Sequence, residues 1–204
     1  DAAALARDTD DGTSPKWVAV TFSPNLKASS GGPSIAWGND VWCAGGHDGG
    51  SSPNIKSIKR STDDAVNWTA LVGPQQPQAA RSVCYKSGDD WFATNDSDVW
   101  SSTDNGASWS VAMEDPGSLT GVFNAMVYDG SGTWVVVGNS GALGFSTDDW
   151  STASAATDSG YGSGDGPFGT SHIWGVVYCA GSVKKFIAVG ASGKIAYSDD
   201  GDHW

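Results

Sequence analysis

The sequence has few basic residues, a single glutamate and no long apolar run. Lysine and arginine together number 11 against 23 acidic residues, which gives a formal net charge of -12. Nucleic-acid binding requires clustered Lys and Arg to neutralise phosphates, so this balance argues against a nucleic-acid partner. No apolar run reaches the length of about 18 residues that a membrane span needs. The three cysteines, Cys43, Cys84 and Cys179, offer neither a disulfide framework nor a C-x-x-C metal motif and are interpreted as small apolar residues.

Five segments in which Asp and Gly precede a Trp recur along the chain. Recurrence of one motif along a chain indicates a repeat protein. The segment Ser102–Trp109 matches S-x-D-x-G-x-x-W at every fixed position. The other copies differ by a substitution, a shortening or an insertion, and they are Ser61–Trp68 (Ala65 in the Gly position), Tyr197–Trp204 (Tyr197 in the Ser position), Ser146–Trp150 (shortened) and Thr9–Trp17 (most degenerate).

Each copy is expected to form a tight turn. Asp accepts hydrogen bonds from nearby backbone amides, and Gly adopts positive φ at little cost. The Trp then packs against the next layer and buries a large apolar area. This interpretation predicts a structural role, rather than catalysis or metal binding, for Asp63, Trp68, Asp104, Gly106, Trp109, Asp148, Trp150, Asp199, Gly201 and Trp204.

Short β-branched and aromatic runs bounded by Gly, Asn, Asp and Ser lie between the copies and predict strands. The first strand of each unit is predicted at Ile35–Trp37, Val83–Tyr85, Met126–Tyr128 and Val176–Tyr178. The second is predicted at Val41–Ala44, Trp91–Ala93, Trp134–Val137 and Phe186–Val189. Tryptophans at strand spacing are interpreted as core residues rather than sugar-stacking platforms; they are Trp37, Trp42, Trp91, Trp134 and Trp174.

These repeats resemble the Asp-box (BNR) repeat family, in which the box lies between the third and fourth strands of a β-propeller blade. The resemblance extends from about Thr9 to Trp204 and implies an all-β propeller, or propeller segment, of about four to five four-stranded antiparallel blades. Residues 1–204 are then one Asp-box domain with boxes ending near 17, 68, 109, 150 and 204. Two alternatives remain: Trp17–Phe22 closes a small ring, or the chain is a segment of a longer repetitive protein. The second is favoured because the N-terminal region carries its own box.

The resemblance also implies a candidate binding face. In such propellers the loops from the fourth strand to the next first strand, and from the second to the third, share one face, and the boxes lie on the other. Loops on a rigid scaffold often carry function, although solvated loops without a role are the alternative. The candidate ligand-binding residues are His47, Asp48, Asn54, Tyr161, Asp165, Phe168 and His172. Because the two histidines lack tight ligand spacing, no metal or other cofactor is predicted.

The sequence favours a protein that is not an enzyme. Sialidases, which carry Asp-boxes, require three arginines around a carboxylate, a Tyr nucleophile and a partner Glu. Here Arg7, Arg60 and Arg81 are scattered, and Glu114 is the single glutamate. Glycoside hydrolysis needs two facing carboxylates, and no pair is singled out among the many Asp residues. Photosystem-assembly propellers also resemble the chain, but they rely on a basic patch that the low Arg and Lys content argues against.

Three segments resemble repeats common in phage tail-fibre and other virion structural proteins: Thr133–Gly141, Phe145–Asp149 and Phe186–Ala196. This resemblance implies a non-enzymatic structural or binding propeller in an extracellular assembly. Its expected partners are other virion or surface subunits and a host surface glycan. The alternatives are a secreted or cell-surface bacterial binding propeller and, less favoured, a glycoside hydrolase.

Overall fold

The computed structural model describes residues 5–8, 17–20, 34–46, 57–71, 77, 79–114, 119, 121–158 and 166–204, with 5–8 and 17–20 described for their backbone alone. Within these ranges the secondary structure is short β-strands and two single-turn 3-10 helices, η1 (Asn139–Gly141) and η2 (Ala191–Gly193). No helix in the described ranges is long and apolar enough to cross a membrane.

The strands form a series of antiparallel sheets in chain order. Strands β1 (Leu5–Asp8) and β2 (Trp17–Val20) form a hairpin. The first blade contains β3 (Ser34–Gly38), β4 (Val41–Gly45), β5 (Ile58–Ser61) and β6 (Thr69–Ala70). The second contains β7 (Ser82–Ser87), β8 (Asp90–Thr94), β9 (Val99–Ser102) and β10 (Ser110–Met113). The third contains β11 (Phe123–Tyr128), β12 (Trp134–Gly138), β13 (Leu143–Ser146) and β14 (Ser154–Ala155).

The fourth blade has three described strands, β15 (Ile173–Cys179), β16 (Lys185–Gly190) and β17 (Ile195–Ser198). Neighbouring blades contact each other through their first strands, from β3 to β7 to β11 to β15. This arrangement confirms the predicted all-β propeller architecture. Strand β2 pairs with β1, so in this structure Trp17–Val20 does not complete the fourth blade. The favoured alternative, a segment of a longer repetitive protein, remains a prediction.

The core lies between the blades. Each blade has a front face, which we define as the side toward the next blade in sequence, and a back face toward the preceding one. Three apolar clusters fill the three inner interfaces. Strand β12 is buried at all five positions because one side of its sheet meets the second blade and the other meets the fourth. This explains its continuous Trp-Val-Val-Val sequence, since a strand buried on both sides needs no polar alternation.

The second strand of each blade has an aromatic residue at its first or second position, and in the second, third and fourth blades this residue fills the back-face side of the interface. Trp91 and Trp134 are fully buried, as is Phe186, and each pairs with the serine that starts the following turn. The core interpretation of Trp91 and Trp134 is therefore confirmed. Trp37 and Trp174, in contrast, are about half exposed, and the interpretation was wrong for them.

The three cysteines are free thiols. Cys43 is fully buried between the first and second blades, and its burial raises its pKa to about 12. Burial also raises the pKa of Cys84 to about 11. Both side chains therefore stay protonated at neutral pH and act as apolar packing groups.

Candidate binding surfaces

The turn after the third strand has the same hydrogen-bond pattern in the first blade as in the second. In the second blade, the Ser102 hydroxyl donates to Asp104 Oδ1 at 2.8 Å and accepts the Gly106 N–H at 3.0 Å. Asp104 Oδ1 also accepts the Ser108 N–H at 2.8 Å, and the Trp109 indole donates to the Gly106 carbonyl. Partial burial raises the pKa of Asp104, but hydrogen bonds from Ser108 and Ser102 outweigh it and hold that pKa below its usual value.

The first blade repeats this turn with Ala65 in place of Gly106. The Ser61 hydroxyl donates to Asp63 and accepts the Ala65 N–H at 3.1 Å. Asp63 accepts the Asn67 N–H, which, with the Asn67 and Ser61 side chains, lowers its pKa. The Trp68 indole donates to the Ala65 carbonyl. Ala65 has a φ of 62°, which is the left-handed conformation that Gly106 adopts more readily at 77°.

The third turn is full length rather than shortened. Ser146 donates to Asp148 Oδ1 and accepts the N–H of Trp150, which therefore occupies the Gly position at a φ of 68°. Ala153 takes the place of the closing Trp. The Trp150 ring is fully buried in the cluster between the second and third blades, 6.5 Å from Trp134. This burial offsets a strained backbone that costs about 1–3 kcal/mol.

The serine and the aspartate of the fourth turn each lie one residue later than predicted. Its serine is Ser198 and its aspartate is Asp200, which accepts the Ser198 hydroxyl and the His203 N–H. Tyr197, predicted in the Ser position, is exposed, and Asp199, predicted as the turn aspartate, forms an ion pair with Lys185. The residues predicted as Gly and Trp of this copy keep their contact, because the Trp204 indole donates to the Gly201 carbonyl at 2.8 Å.

In the second and third blades, the side chain that follows the turn aspartate binds a tryptophan of the same blade. Asn105 Oδ1 accepts the Trp91 indole N–H at 2.9 Å, and Asp149 Oδ1 accepts the Trp134 indole N–H at 3.0 Å. Asp149 also forms an ion pair with Lys86 of the second blade at 2.6 Å. The turn aspartates and Asp149 thus hold the turns and the tryptophans in place.

Most residues of the predicted loop-face site lie outside the described ranges. His47, Asp48, Asn54, Tyr161 and Asp165 lie outside the described residues, so their ligand-binding role remains a prediction. Among the described residues, no group of three His, Cys, Asp or Glu side chains could hold a metal ion.

The two remaining residues differ in exposure. Phe168 is buried between the third and fourth blades, so its ring is not available to a ligand on the loop face. His172 is exposed, and its Nδ1 lies 3.2 Å from the Ser140 N–H, from which it accepts a hydrogen bond. Its ring lies 5.2 Å from that of Trp174.

The front face of the fourth blade is an apolar surface that sequence reasoning missed. The third and fourth blades share one strand register, including an irregularity at the same place in their first strands. Val137 and Leu143 on the third blade are 0% and 1% exposed, whereas the residues at the same positions on the fourth, Val189 and Ile195, are 44% and 71% exposed. The full set of corresponding positions is Val127 and Val177, Val135 and Ile187, Val137 and Val189, Leu143 and Ile195, and Phe145 and Tyr197.

The back face of the first blade is exposed at its first strand, whereas Ala44 and Lys59 on the same face are buried. Ile35 is 39% exposed, although the residues in its register position on the later blades, Val83, Met126 and Val176, are all buried. Trp37, in the position of Tyr85 on the second blade, is 55% exposed. Nine large hydrophobic side chains are exposed within the described ranges, and six of them lie on these two end faces: Ile35, Trp37, Val177, Val189, Ile195 and Tyr197.

A cleft of about 360 Å³ continues the fourth blade's front face along β17. In the third blade, the corresponding edge of β13 pairs with β14. Among the described strands, β17 pairs with β16 alone. The cleft residues are Asp158, Ile195, Ala196, Tyr197, Ser198, Asp199, His203 and Trp204.

No known protein family and no curated protein matches this sequence. Solved β-propellers are nevertheless similar in structure. A structure described as YCF48 bound to D1 peptide superposes with a TM-score of 0.64 at 16% identity, covering 99% of this chain and 60% of that one. A putative gluconolactonase gives 0.63 at 11% identity, covering 96% and 67%. The GH74 xyloglucanase from Xanthomonas campestris gives 0.57 at 15% identity, covering 79% and 28%.

These identities establish the propeller fold and nothing further. This chain spans about three fifths of the length of the YCF48 structure and less than a third of the xyloglucanase.

Proposed function

We propose that this chain is a non-enzymatic structural propeller of an extracellular assembly and that it works by packing its end blades against other protein subunits. The observation that supports this most is the exposed front face of the fourth blade. Its residues occupy the register positions that the third blade buries against its neighbour. Contiguous exposed apolar surface of this kind marks protein interaction sites in soluble proteins.

Full burial of a Val, Leu, Ile or Phe side chain stabilises a protein by about 1.5–3 kcal/mol relative to leaving it in water. By the same rule, several kcal/mol of stabilisation are not gained while the face that carries Val177, Val189, Ile195 and Tyr197 is exposed to water. A subunit packed on this face would recover that free energy.

The use of the acidic residues supports a structural role rather than catalysis. The aspartates of the four turns accept hydrogen bonds from serine hydroxyls and backbone amides of their own turns. One similar propeller is a xyloglucanase and another is a putative gluconolactonase, but those descriptions belong to proteins of low identity. A YCF48 propeller bound to a peptide supports protein binding by this fold.

The assembly that we favour is a phage virion, with the chain in a tail fibre or similar appendage. The support comes from the segments Thr133–Gly141 and Phe186–Ala196, which resemble virion repeats. Contact with a host glycan through the loop face would be a second role, for which His172 is the exposed described candidate. A secreted or cell-surface bacterial binding propeller is the alternative, and a glycoside hydrolase is less favoured.

The test is to purify the protein from its native source and to measure the mass of the particle that contains it. We expect the chain in a particle or surface structure far heavier than 21.0 kDa. Recovery of the native protein as a free cytosolic monomer would contradict the proposal. Release of a sugar from a chromogenic glycoside by the purified protein would contradict its non-enzymatic part.

A further inference from the structure

We propose that a cleft between the first and second blades binds the carboxylate of an acidic sugar and that Arg60 holds this carboxylate. The cleft has a volume of about 260 Å³. It is slightly smaller than the pockets of about 300–1,000 Å³ that hold drug-sized ligands, so it suits a single sugar residue. Both blades that form the cleft are described, and the site is separate from the two end faces. The described residues that line it are Arg60, Thr62, Asp63, Asn67, Thr69, Leu71 and Ala107.

The repeat does not require a charged side chain at the position of Arg60. Arg60 lies on the front face of the first blade, between Cys43 and Thr69 on the neighbouring strands. In the third blade this position holds Phe145, which packs against the cluster between the third and fourth blades. In the second blade it holds Ser101. Because uncharged residues serve the fold at this position, packing of the blades does not account for the guanidinium of Arg60.

The second blade fixes the orientation of that guanidinium. Arg60 Nε donates a hydrogen bond to the Asn105 carbonyl at 2.8 Å. The Asn105 N–H donates to the Asp89 carbonyl, and the Asn105 side chain donates to the Asn39 carbonyl. Asn105 Oδ1 accepts the Trp91 indole N–H. The guanidinium is therefore oriented before a ligand arrives, which lowers the entropic cost of binding.

The two Nη atoms of Arg60 are available to a ligand. Among the described residues, Arg60 makes no ion pair, and its one hydrogen bond is that of Nε. Asp63 lines the same cleft, but its carboxylate oxygens accept hydrogen bonds from Ser61 and Asn67 of its own turn. A planar guanidinium donates two parallel hydrogen bonds to a carboxylate, and this geometry favours arginine over lysine at such sites.

Charge within the cleft favours a ligand with a single negative charge. Hydrogen bonds from Asn67 and Ser61 lower the pKa of Asp63, so its carboxylate is ionised at neutral pH. A doubly charged phosphate would meet about twice the repulsion from Asp63 that a carboxylate meets. The net charge of -12 acts in the same direction. The site therefore selects a carboxylate over a phosphate.

The other groups of the cleft suit a ligand that carries hydroxyls. Thr62 and Thr69 present exposed hydroxyls, which both donate and accept hydrogen bonds. The Asn67 amide nitrogen donates to Asp63, which leaves the side-chain carbonyl of Asn67 to accept a ligand hydroxyl. Leu71 offers an apolar contact to the carbon–hydrogen face of a ring. A sugar acid meets all of these groups, whereas an acidic peptide side chain carries its carboxylate on an aliphatic stem without hydroxyls.

The experiment is an NMR titration of the full 204-residue chain, isotopically labelled so that the Arg60 Nε–H signal reports on the cleft. Three small ligands separate the contributions. Methyl galacturonoside carries the carboxylate on a sugar, methyl galactoside is its neutral counterpart, and N-acetylglutamate amide carries the carboxylate of a peptide. We expect saturable shifts of the Arg60 signal with methyl galacturonoside. Each of the other two should bind at least about tenfold more weakly, because one lacks the charge and the other lacks the hydroxyls.

Point variants assign the binding to the cleft, and the backbone amide signal of Ala107 follows binding in each of them. Arg60→Gln removes the charge and should weaken binding of methyl galacturonoside by about ten- to a hundredfold. Arg60→Lys keeps the charge without the paired donors and should recover only part of this loss. Lys184→Gln is the matched control, since it removes the same charge from an exposed turn of the fourth blade and should bind like the original chain.

A variant on the opposite wall tests the site with Arg60 intact. Thr69→Val removes one exposed hydroxyl and should weaken binding of methyl galacturonoside by about three- to tenfold. Circular dichroism melting curves check that each variant is folded, so a loss of binding is not mistaken for unfolding.

Three results would overturn the inference. The first is the absence of saturable binding of methyl galacturonoside to the original chain. The second is equal binding by Arg60→Gln and Lys184→Gln. The third is equal binding of methyl galacturonoside and either of the other two ligands. None of these measurements involves the end faces, and the mass of the native particle tests the proposed structural role on its own.

Discussion

The third and fourth blades show how little separates a core surface from an interaction surface in this propeller. They share strand register, an irregularity in the first strand, an aromatic residue at the start of the second strand and a serine–aspartate turn. Their front faces carry similar side chains, yet one is buried and the other is open. An apolar blade face therefore indicates that the blade can pack against a neighbour. Only the structure shows whether a neighbour covers that face.

The largest difference between the blades should appear on removing one aliphatic side chain from each front face. Leu143→Ala leaves a cavity in the interface cluster and should lower the free energy of unfolding by about 2–5 kcal/mol. Ile195→Ala, at the same register position but exposed, should change it by less than about 0.5 kcal/mol at concentrations where the chain is monomeric. Chemical denaturation measures both values, and equal losses would contradict the distinction between the faces.

A smaller effect should identify the aspartate that holds the fourth turn. Asp200→Ala removes the acceptor of the Ser198 hydroxyl and of the His203 N–H, and should cost about 1 kcal/mol. Asp199→Ala removes an exposed ion pair with Lys185 and should cost a few tenths of that value at most. Thermal unfolding of the two variants compares them directly. A larger loss for Asp199→Ala would restore the register predicted from the sequence.

Acid should destabilise the third turn and the fourth turn alike. The backbone N–H of His203 lowers the pKa of Asp200 well below its usual range, and that of Thr152 lowers the pKa of Asp148. A carboxylate whose folded pKa lies below its unfolded value of about 3.9 stabilises the fold above that value. We therefore expect stability to fall as pH drops below about 4. Asp200→Asn should reduce this acid sensitivity, which denaturation curves on either side of pH 4 measure.

The smallest expected effect is a pH dependence of stability above pH 6 that the fourth turn has and the third turn lacks. The hydrogen bond and charge of Asp200 raise the pKa of His203, and Thr152 takes its place in the third turn. A histidine with a raised folded pKa stabilises the fold fully below its unfolded pKa of about 6.5, and this stabilisation disappears as pH rises through the folded value. His203→Thr should remove this slight dependence. An NMR titration showing His203 at or below the ordinary histidine pKa would contradict the prediction.

The strands could be predicted because their pattern is local. The predicted first strands lie within β3, β7, β11 and β15, and the predicted second strands lie within β4, β8, β12 and β16. Short runs of β-branched and aromatic residues between Gly- and Asp-rich turns are sufficient for this level of description.

The turns were harder to predict because the pattern treats every Trp alike. Trp150 was read as a closing residue, whereas it occupies the Gly position with a left-handed backbone. Asp199 has the predicted spacing to Gly201 and Trp204, whereas Asp200 has the predicted spacing to Ser198. The serine hydroxyl binds Asp200. Tyr197 in the Ser position was the signal in the sequence that the register was displaced.

The end faces could not be predicted from composition or periodicity. Val189 and Ile195 follow the same alternation as Val137 and Leu143, so their sequence context does not show whether another blade covers them. The loop-face candidates had no stronger support than the length of their loops. Of these residues, Phe168 became a core residue because an apolar ring on a connecting loop can pack between two sheets.

The glycines of the second and fourth turns point to an order of folding. A Cβ on Gly106 would lie 2.7 Å from the Cys43 sulfur in the first blade, and one on Gly201 would lie 2.9 Å from Val135 in the third. Each of these turns is therefore completed against the blade that precedes it in the chain. A chain emerging from the ribosome can thus fold one blade at a time, since the surface that each new turn needs has already been synthesised.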